Sequence, residues 1–136
     1  MITAADSNIL IDIFTENKAF ALPSKNALET CLEEGSVVAC GAVLVETLSF
    51  FHSPENFFEK LAMLRIHPTI ISMPTFIEAA SVWRQYRLGG GGRIRVMADF
   101  LIGAHALVEC DRLLTRDRGF YRQYFKKLKI VEPKIR

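Results

Sequence analysis

Five short apolar runs recur along the chain: ITAA (2–5), VVAC (37–40), TIIS (69–72), RLLT (112–115) and LKIVE (128–132). Each has the length and apolar character of a buried strand, and the stretches between them carry helical spacing. Alternation of this kind is restrictive. Parallel strands need long crossovers, and a helix is the usual one. The expected fold is therefore one α/β domain over residues 1–136, with a mostly parallel, about five-stranded sheet between helices on both faces.

Local signals place the helices. Ser24 is expected to cap a helix running to about Glu34, and Ser53-Pro54 to open another through Ile66. TFIE (75–78) matches a capping box before a helix ending near Leu88. A further helix spans Arg95 to Glu109, with Met97, Phe100, Leu101, Ala104 and Val108 along one face. The run GGGG (89–92) follows no strand and lacks a Lys-Ser/Thr pair, so it is not a phosphate-binding P-loop. It reads as a mobile connection between two helices, with Arg87, Arg93 and Arg95 beside it.

Composition removes several classes. Half of the 136 residues are hydrophobic and 24% are charged, which excludes a disordered chain. The first residues hold Asp6 and no basic cluster, so no signal peptide is expected. The uncharged stretch 35–45, like every other in the chain, falls short of the roughly 20 apolar residues that cross a bilayer. A soluble, cytoplasmic protein with no membrane partner is the expectation. Cys31, Cys40 and Cys110 form no CxxC pair and read as small buried hydrophobes rather than a disulfide frame or zinc site. The net charge of +2 is unevenly spread. Residues 1–83 hold 4 Lys/Arg against 10 Asp/Glu, and residues 84–136 hold 13 against 5. A basic half of this kind suits a polyanionic partner, or simply a solvated basic surface.

Three acids stand alone in apolar surroundings. Asp6 is the only charged residue in 1–11, Glu46 in 35–54 and Asp99 in 96–108. A carboxylate forced among apolar groups is costly unless it is paired, hydrogen-bonded or bound to metal. Open α/β sheets bind ligands beyond the carboxyl ends of their strands. Asp6 directly follows ITAA, and Asp117 lies two residues past RLLT. Glu46 lies within two turns of the end of VVAC, and Asp99 in the first turn of the 95–109 helix beside Ile102, Gly103 and Ala106. The small residues there leave room for other groups. Singly, Asp6 and Asp117 are also explained as helix caps, Glu46 as a solvated face and Asp99 by its helix dipole.

Four carboxylates gathered at one rim repel one another and call for protons or cations. No cysteine, and no histidine at ligand spacing, joins them. An all-oxygen set favours Mg2+ or Mn2+, and a pair of such ions activates water and stabilises the leaving oxygen of a phosphodiester. With the basic second half, the pattern reads as a metal-dependent nuclease. Other acids fail the position test. Asp111 precedes RLLT and lies at the opposite edge, Asp12 is off the Asp6 face, and the capping box accounts for Glu78. His105 reads as a satisfied, partly buried histidine.

The chain resembles the PIN-domain ribonucleases, specifically the single-domain VapC-like toxins of type II toxin–antitoxin systems. The resemblance rests on ADSNILIDIF at the start, the Glu in the helix after the second strand, ADFLIGAHAL, and LLTRDRGFY before the last strand. It implies a three-layer α/β/α PIN-like domain in which Asp6, Glu46, Asp99 and Asp117 are catalytic and bind Mg2+ or Mn2+. It further implies cleavage of single-stranded or loop RNA to 5′-phosphate and 3′-hydroxyl ends. Asn8 matches a polar residue that orients the first carboxylate, and Thr115 the hydroxyl of a T-x-D element. By the same resemblance the chain is a homodimer held inactive by a small antitoxin protein. GGGG is longer than the family's pattern needs. Arg116, Arg118 and Arg122 are candidate RNA contacts. The alternative is a catalytically silent PIN-like module that binds nucleic acid, which would gain nothing from a carboxylate cluster. A phosphoacceptor domain would need a lysine after RLLT and an acceptor Asp after the middle strand, and neither is present.

Overall fold

The computed structural model describes residues 1–92 and 95–134. Along the chain run β1 (Ile2–Ala5), α1 (Ser7–Phe14), α2 (Ala21–Glu34), β2 (Ser36–Cys40), α3 (Gly41–Leu48) and α4 (Pro54–Met63). There follow β3 (Ile66–Thr69), α5 (Met73–Leu88), α6 (Met97–Glu109), β4 (Arg112–Leu114), α7 (Arg118–Tyr124) and β5 (Ile130–Val131). The five strands form one sheet in the order β3-β2-β1-β4-β5, and every neighbouring pair is parallel. With helices on both faces, the domain is the expected three-layer α/β/α sandwich. The middle strands are mostly apolar because both their faces are covered. Thr3 to Ala5, Val37 to Cys40, and Leu113 and Leu114 are all buried.

Strand order fixes where a site can form. From β1 the chain winds outward through β2 and β3, then returns to place β4 on the other side of β1. The connections leaving β1 and β4 therefore diverge, and their carboxyl ends flank the crevice at the switch point. Register aligns those ends, with Ala5 opposite Leu114 and the Asp6 N–H donating to the Leu114 carbonyl at 2.9 Å.

Several expected boundaries move, each for a local reason. The third strand is Ile66–Thr69, not TIIS (69–72). It is an edge strand with only Ile66 buried, so Pro68 is tolerated there. Ile70 is 92% exposed in the loop beyond it, so apolarity misled. The helix opened by Ser53-Pro54 has its cap as expected, Ser53 Oγ accepting the Asn56 N–H at 3.2 Å. It stops at Met63 rather than Ile66, because Arg65 turns the chain at φ 58°. Ser24 caps nothing. It lies inside α2, buried, and donates to Asp12 Oδ2 at 2.9 Å. Nor is TFIE a capping box, since α5 begins at Met73 and the Thr75 hydroxyl donates to Glu109. Glu109, at the end of α6, also accepts the Ser72 N–H at 3.2 Å and so closes the start of α5 from across the helix pair. The helix expected from Arg95 starts at Met97, leaving Arg95 outside it.

GGGG closes α5, with Gly89 at its C-cap and Gly90 at φ 83°, a conformation that suits glycine. Of the arginines beside it, Arg93 lies outside the described residues. Cys31 and Cys40 are buried and Cys110 half-buried. No helix among the described residues is long and apolar enough to cross a membrane.

Candidate acidic site

Asp6 follows β1 directly and starts α1, accepting the Ser7 N–H on Oδ1 at 2.7 Å. It therefore does cap its helix, but Oδ2 is used differently. That oxygen accepts the Thr115 hydroxyl at 2.7 Å and the Tyr121 phenol at 3.2 Å, with the Asn8 amide at 3.4 Å. Even so, burial at 5% exposure outweighs these donors and pushes the Asp6 carboxyl up to about 6, with Asp99 adding repulsion.

Thr115 explains the T-x-D spacing. Fully buried after β4, it donates its hydroxyl to Asp6 and accepts the Asp117 N–H on the same oxygen at 2.9 Å. The loop carrying Asp117 is thus tied to the first acid through one hydroxyl. Asn8 adds a second tie, accepting the Arg116 N–H at 3.3 Å and donating to Thr115 at 3.3 Å. Glu46, on α3, accepts the Ser7 hydroxyl at 2.6 Å, so Ser7 links it to Asp6.

Asp99 sits at the third position of α6, its carboxylate accepting the Val96 N–H at 3.3 Å. Burial raises its pKa, the Val96 bond and Arg95 oppose that, and repulsion from Glu46 and Asp117 adds to it. Asp99 therefore lies within repulsive reach of each of the other three acids. Asp117 occupies the N-cap position of α7 but makes no side-chain cap bond. Its carboxylate turns instead to the Arg95 guanidinium, Nη1 on Oδ2 and Nη2 3.4 Å from Oδ1. Capping therefore does not account for it.

Two expectations need correction. The space beside Gly103 is not open to a ligand. A Cβ there would lie 2.5 Å from the Phe125 ring, so that ring fills it. Arg116 is not free to grip phosphate. Its guanidinium donates to buried Asp12 at 2.6 and 3.0 Å and rests 3.9 Å from the Phe20 ring centroid. Asp12 stays outside the rim, as expected, but serves as this anchor. Arg118 and Arg122 are exposed and lie 3.0 and 4.0 Å from Glu132. His105 is buried, its Nε2 3.1 Å from the Thr69 hydroxyl.

Sequence reasoning missed Ser7, Tyr121 and Arg95. Ser7 was signalled by its place beside Asp6. Tyr121 and Arg95 reach the acids only through tertiary packing. An aromatic cluster sets them there: Phe120 packs edge-on against Phe100 at 5.4 Å and Tyr121 at 5.1 Å, and Arg95 lies over Phe120 at 4.4 Å.

Among the described residues, no group of three or more His, Cys, Asp or Glu side chains is gathered tightly enough to hold a metal ion. The donor chemistry nevertheless fits a hard cation. It is all oxygen, two of its acids are held above their ordinary pKa, and a guanidinium already lies against Asp117. Concavities of about 620 and 650 Å³ lie elsewhere and are lined by none of the four acids.

Comparison with known proteins agrees with this architecture. The PIN domain family model matches residues 4–126. Among solved structures, VapBC2 from Rickettsia felis bound to a promoter DNA fragment is similar, with a TM-score of 0.74 at 20% identity over 98% of this chain and 100% of that one. VapBC-1 from nontypeable Haemophilus influenzae gives 0.72 at 15% identity over 97% and 98%. FitAcB from Neisseria gonorrhoeae gives 0.66 at 19% identity over 98% of each chain. The curated proteins hold no match to the sequence.

Proposed function

The chain belongs to the PIN-domain family, and from that premise we propose that it is a divalent-metal-dependent endoribonuclease, the toxin of a toxin–antitoxin pair. What supports the reading is that Asp6, Glu46 and Asp117 follow β1, β2 and β4 in the chain, that Asp99 begins α6, and that Asp99 lies within repulsive reach of the other three. Acids raised by burial and mutual repulsion at a switch point are expensive for a module that only binds phosphate. They are useful to one that binds cations.

Asp6, Glu46, Asp99 and Asp117 would hold Mg2+ or Mn2+. Bound there, the ion would polarise a water for attack on phosphorus and neutralise charge on the leaving oxygen. The chain's own residues supply the geometry. Thr115 and Tyr121 fix Oδ2 of Asp6, Ser7 links Asp6 to Glu46, and Thr115 sets the loop of Asp117. Arg118 and Arg122, exposed on α7 just after Asp117, would take the RNA backbone. The resemblance to VapC-like toxins, and likeness to structures of toxin–antitoxin complexes, support a small antitoxin as partner; the resemblance alone suggests a homodimer. A soluble cytoplasmic location belongs to the same proposal.

The test is incubation of the purified protein with a mixed RNA pool, with and without Mn2+, followed by mapping of the cut ends. Cleavage that needs Mn2+ and leaves 5′-phosphate and 3′-hydroxyl ends is the expected result. RNA binding without cleavage under those conditions would favour the silent module.

A further inference from the structure

Arg95 stands in an unusual place for a cation. Its Nη1 contacts Asp117 and lies 3.9 Å from Asp99, and its Nη2 approaches the other oxygen of Asp117 at 3.4 Å. Among the described residues, Arg116 is paired with Asp12, while Arg118 and Arg122 lie exposed, 3.0 and 4.0 Å from Glu132. Among the described residues, Arg95 is the cation that the acids hold.

We propose that Arg95 is a tethered counter-ion, occupying the oxygens that a divalent cation needs and yielding them when that cation binds. The proposal rests on the metal-site reading above. A guanidinium has donors only, and the carboxylate lone pairs it uses on Asp117 are those that would ligate a metal. The two occupants therefore compete at that residue, both by charge and for lone pairs. Asp99 is approached by the same guanidinium, so its departure frees both acids together. The pairing is partly exposed, and such ion pairs are weak enough to exchange. The face of Phe120, against which the guanidinium already lies, gives the arm a second attraction that does not depend on the acids. The metal demand of the enzyme would then be set by competition between a divalent cation and one arginine of the same chain.

The experiment compares Mn2+ binding, followed by electron paramagnetic resonance of free Mn2+, in the wild-type chain, Arg95→Gln and Arg95→Lys. Arg95→Gln should bind Mn2+ about tenfold more tightly. Arg95→Lys, which keeps the charge but loses the planar fork, should fall between. In parallel, the Nε–Hε resonance of Arg95, assigned by its loss in Arg95→Gln, is followed as Mg2+ is added. It should move with the midpoint of Mg2+ binding. Equal Mn2+ affinity in all three proteins would overturn the proposal. So would an Arg95 resonance that stays fixed at saturating Mg2+, because the arginine would then act only through its distant charge. If neither wild type nor Arg95→Gln binds Mn2+, the metal-site reading itself falls, and this proposal with it.

Discussion

The two edges of the sheet use charge in opposite ways. At the amino edge, charged groups finish the ends of the ladder. Asp111 accepts the Ile2 N–H at 2.6 Å, and Arg112 donates to the Thr3 hydroxyl at 2.8 Å and lies 3.5 Å from Glu34. Asp111 and Arg112 thus have local partners, although Arg112 Nη2 is buried without a hydrogen bond, and the result is structural. At the carboxyl edge, Asp99 and Asp117 share one arginine, Arg95, and among the described residues neither Asp6 nor Glu46 is in a salt bridge. Buried hydroxyls hold Asp6 in position without discharging it. A charge matched locally closes a fold, whereas charge left unmatched at a switch point is available to a ligand.

The sharpest way to break this contrast is substitution at both edges. Asp6→Asn or Asp99→Asn should lower Mn2+-dependent RNA cleavage by about a hundredfold or more, on the scale of lost electrostatic stabilisation at a reacting centre. The circular dichroism of each variant should match wild type. Asp111→Asn should leave cleavage unchanged. A comparable loss at both edges would erase the distinction.

Next comes an acid near the rim that is matched. Arg116→Ala strands the buried Asp12 carboxylate, with Ser24 as its remaining side-chain donor. It should cost about 4 kcal/mol in urea unfolding, as breaking a buried pair does. A change of only a few tenths of a kcal/mol would place Asp12 among the unmatched acids.

Stability against pH sharpens the point for Asp6. Its folded-state pKa of about 6 lies above the ordinary 3.8, so the folded protein holds this proton more tightly than the unfolded chain. The stabilising contribution is present below pH 3.8 and is lost as pH rises through about 6. In metal-free buffer with a chelator, the stability of Asp6→Asn relative to wild type should therefore improve between pH 4 and 7. The improvement should approach about 3 kcal/mol. A flat difference would show that Asp6 is already compensated. The smallest effect is expected from Arg118→Ala with Arg122→Ala. RNA affinity should fall a few-fold, with a salt dependence reduced by about two phosphate contacts.

Much of this division was readable from residue order. The solitary Asp6, Glu46 and Asp99 stood out because an isolated acid in an apolar run has few inexpensive explanations. Alternation of strands and helices then put them with Asp117 at one edge. Thr115 was legible only through the resemblance's T-x-D element; its hydroxyl donates to the Asp6 carboxylate and also accepts the Asp117 N–H. What escaped was non-local. Ser24 and Thr75 looked like caps because their local chemistry suits caps, yet tertiary partners, Asp12 and Glu109, claimed their hydroxyls. Tyr121 and Arg95 carried no periodic signal, and only the packing around Phe120 brings them to the acids. TIIS misled because an edge strand buries so little that apolarity and pairing part company there.

The claim that the carboxyl edge is a cation site is tested most directly by anomalous scattering from crystals grown in saturating Mn2+. The expected result is a manganese peak among Asp6, Glu46, Asp99 and Asp117, with the Arg95 guanidinium withdrawn from Asp117. No peak at that edge, or manganese found only elsewhere on the surface, would contradict it.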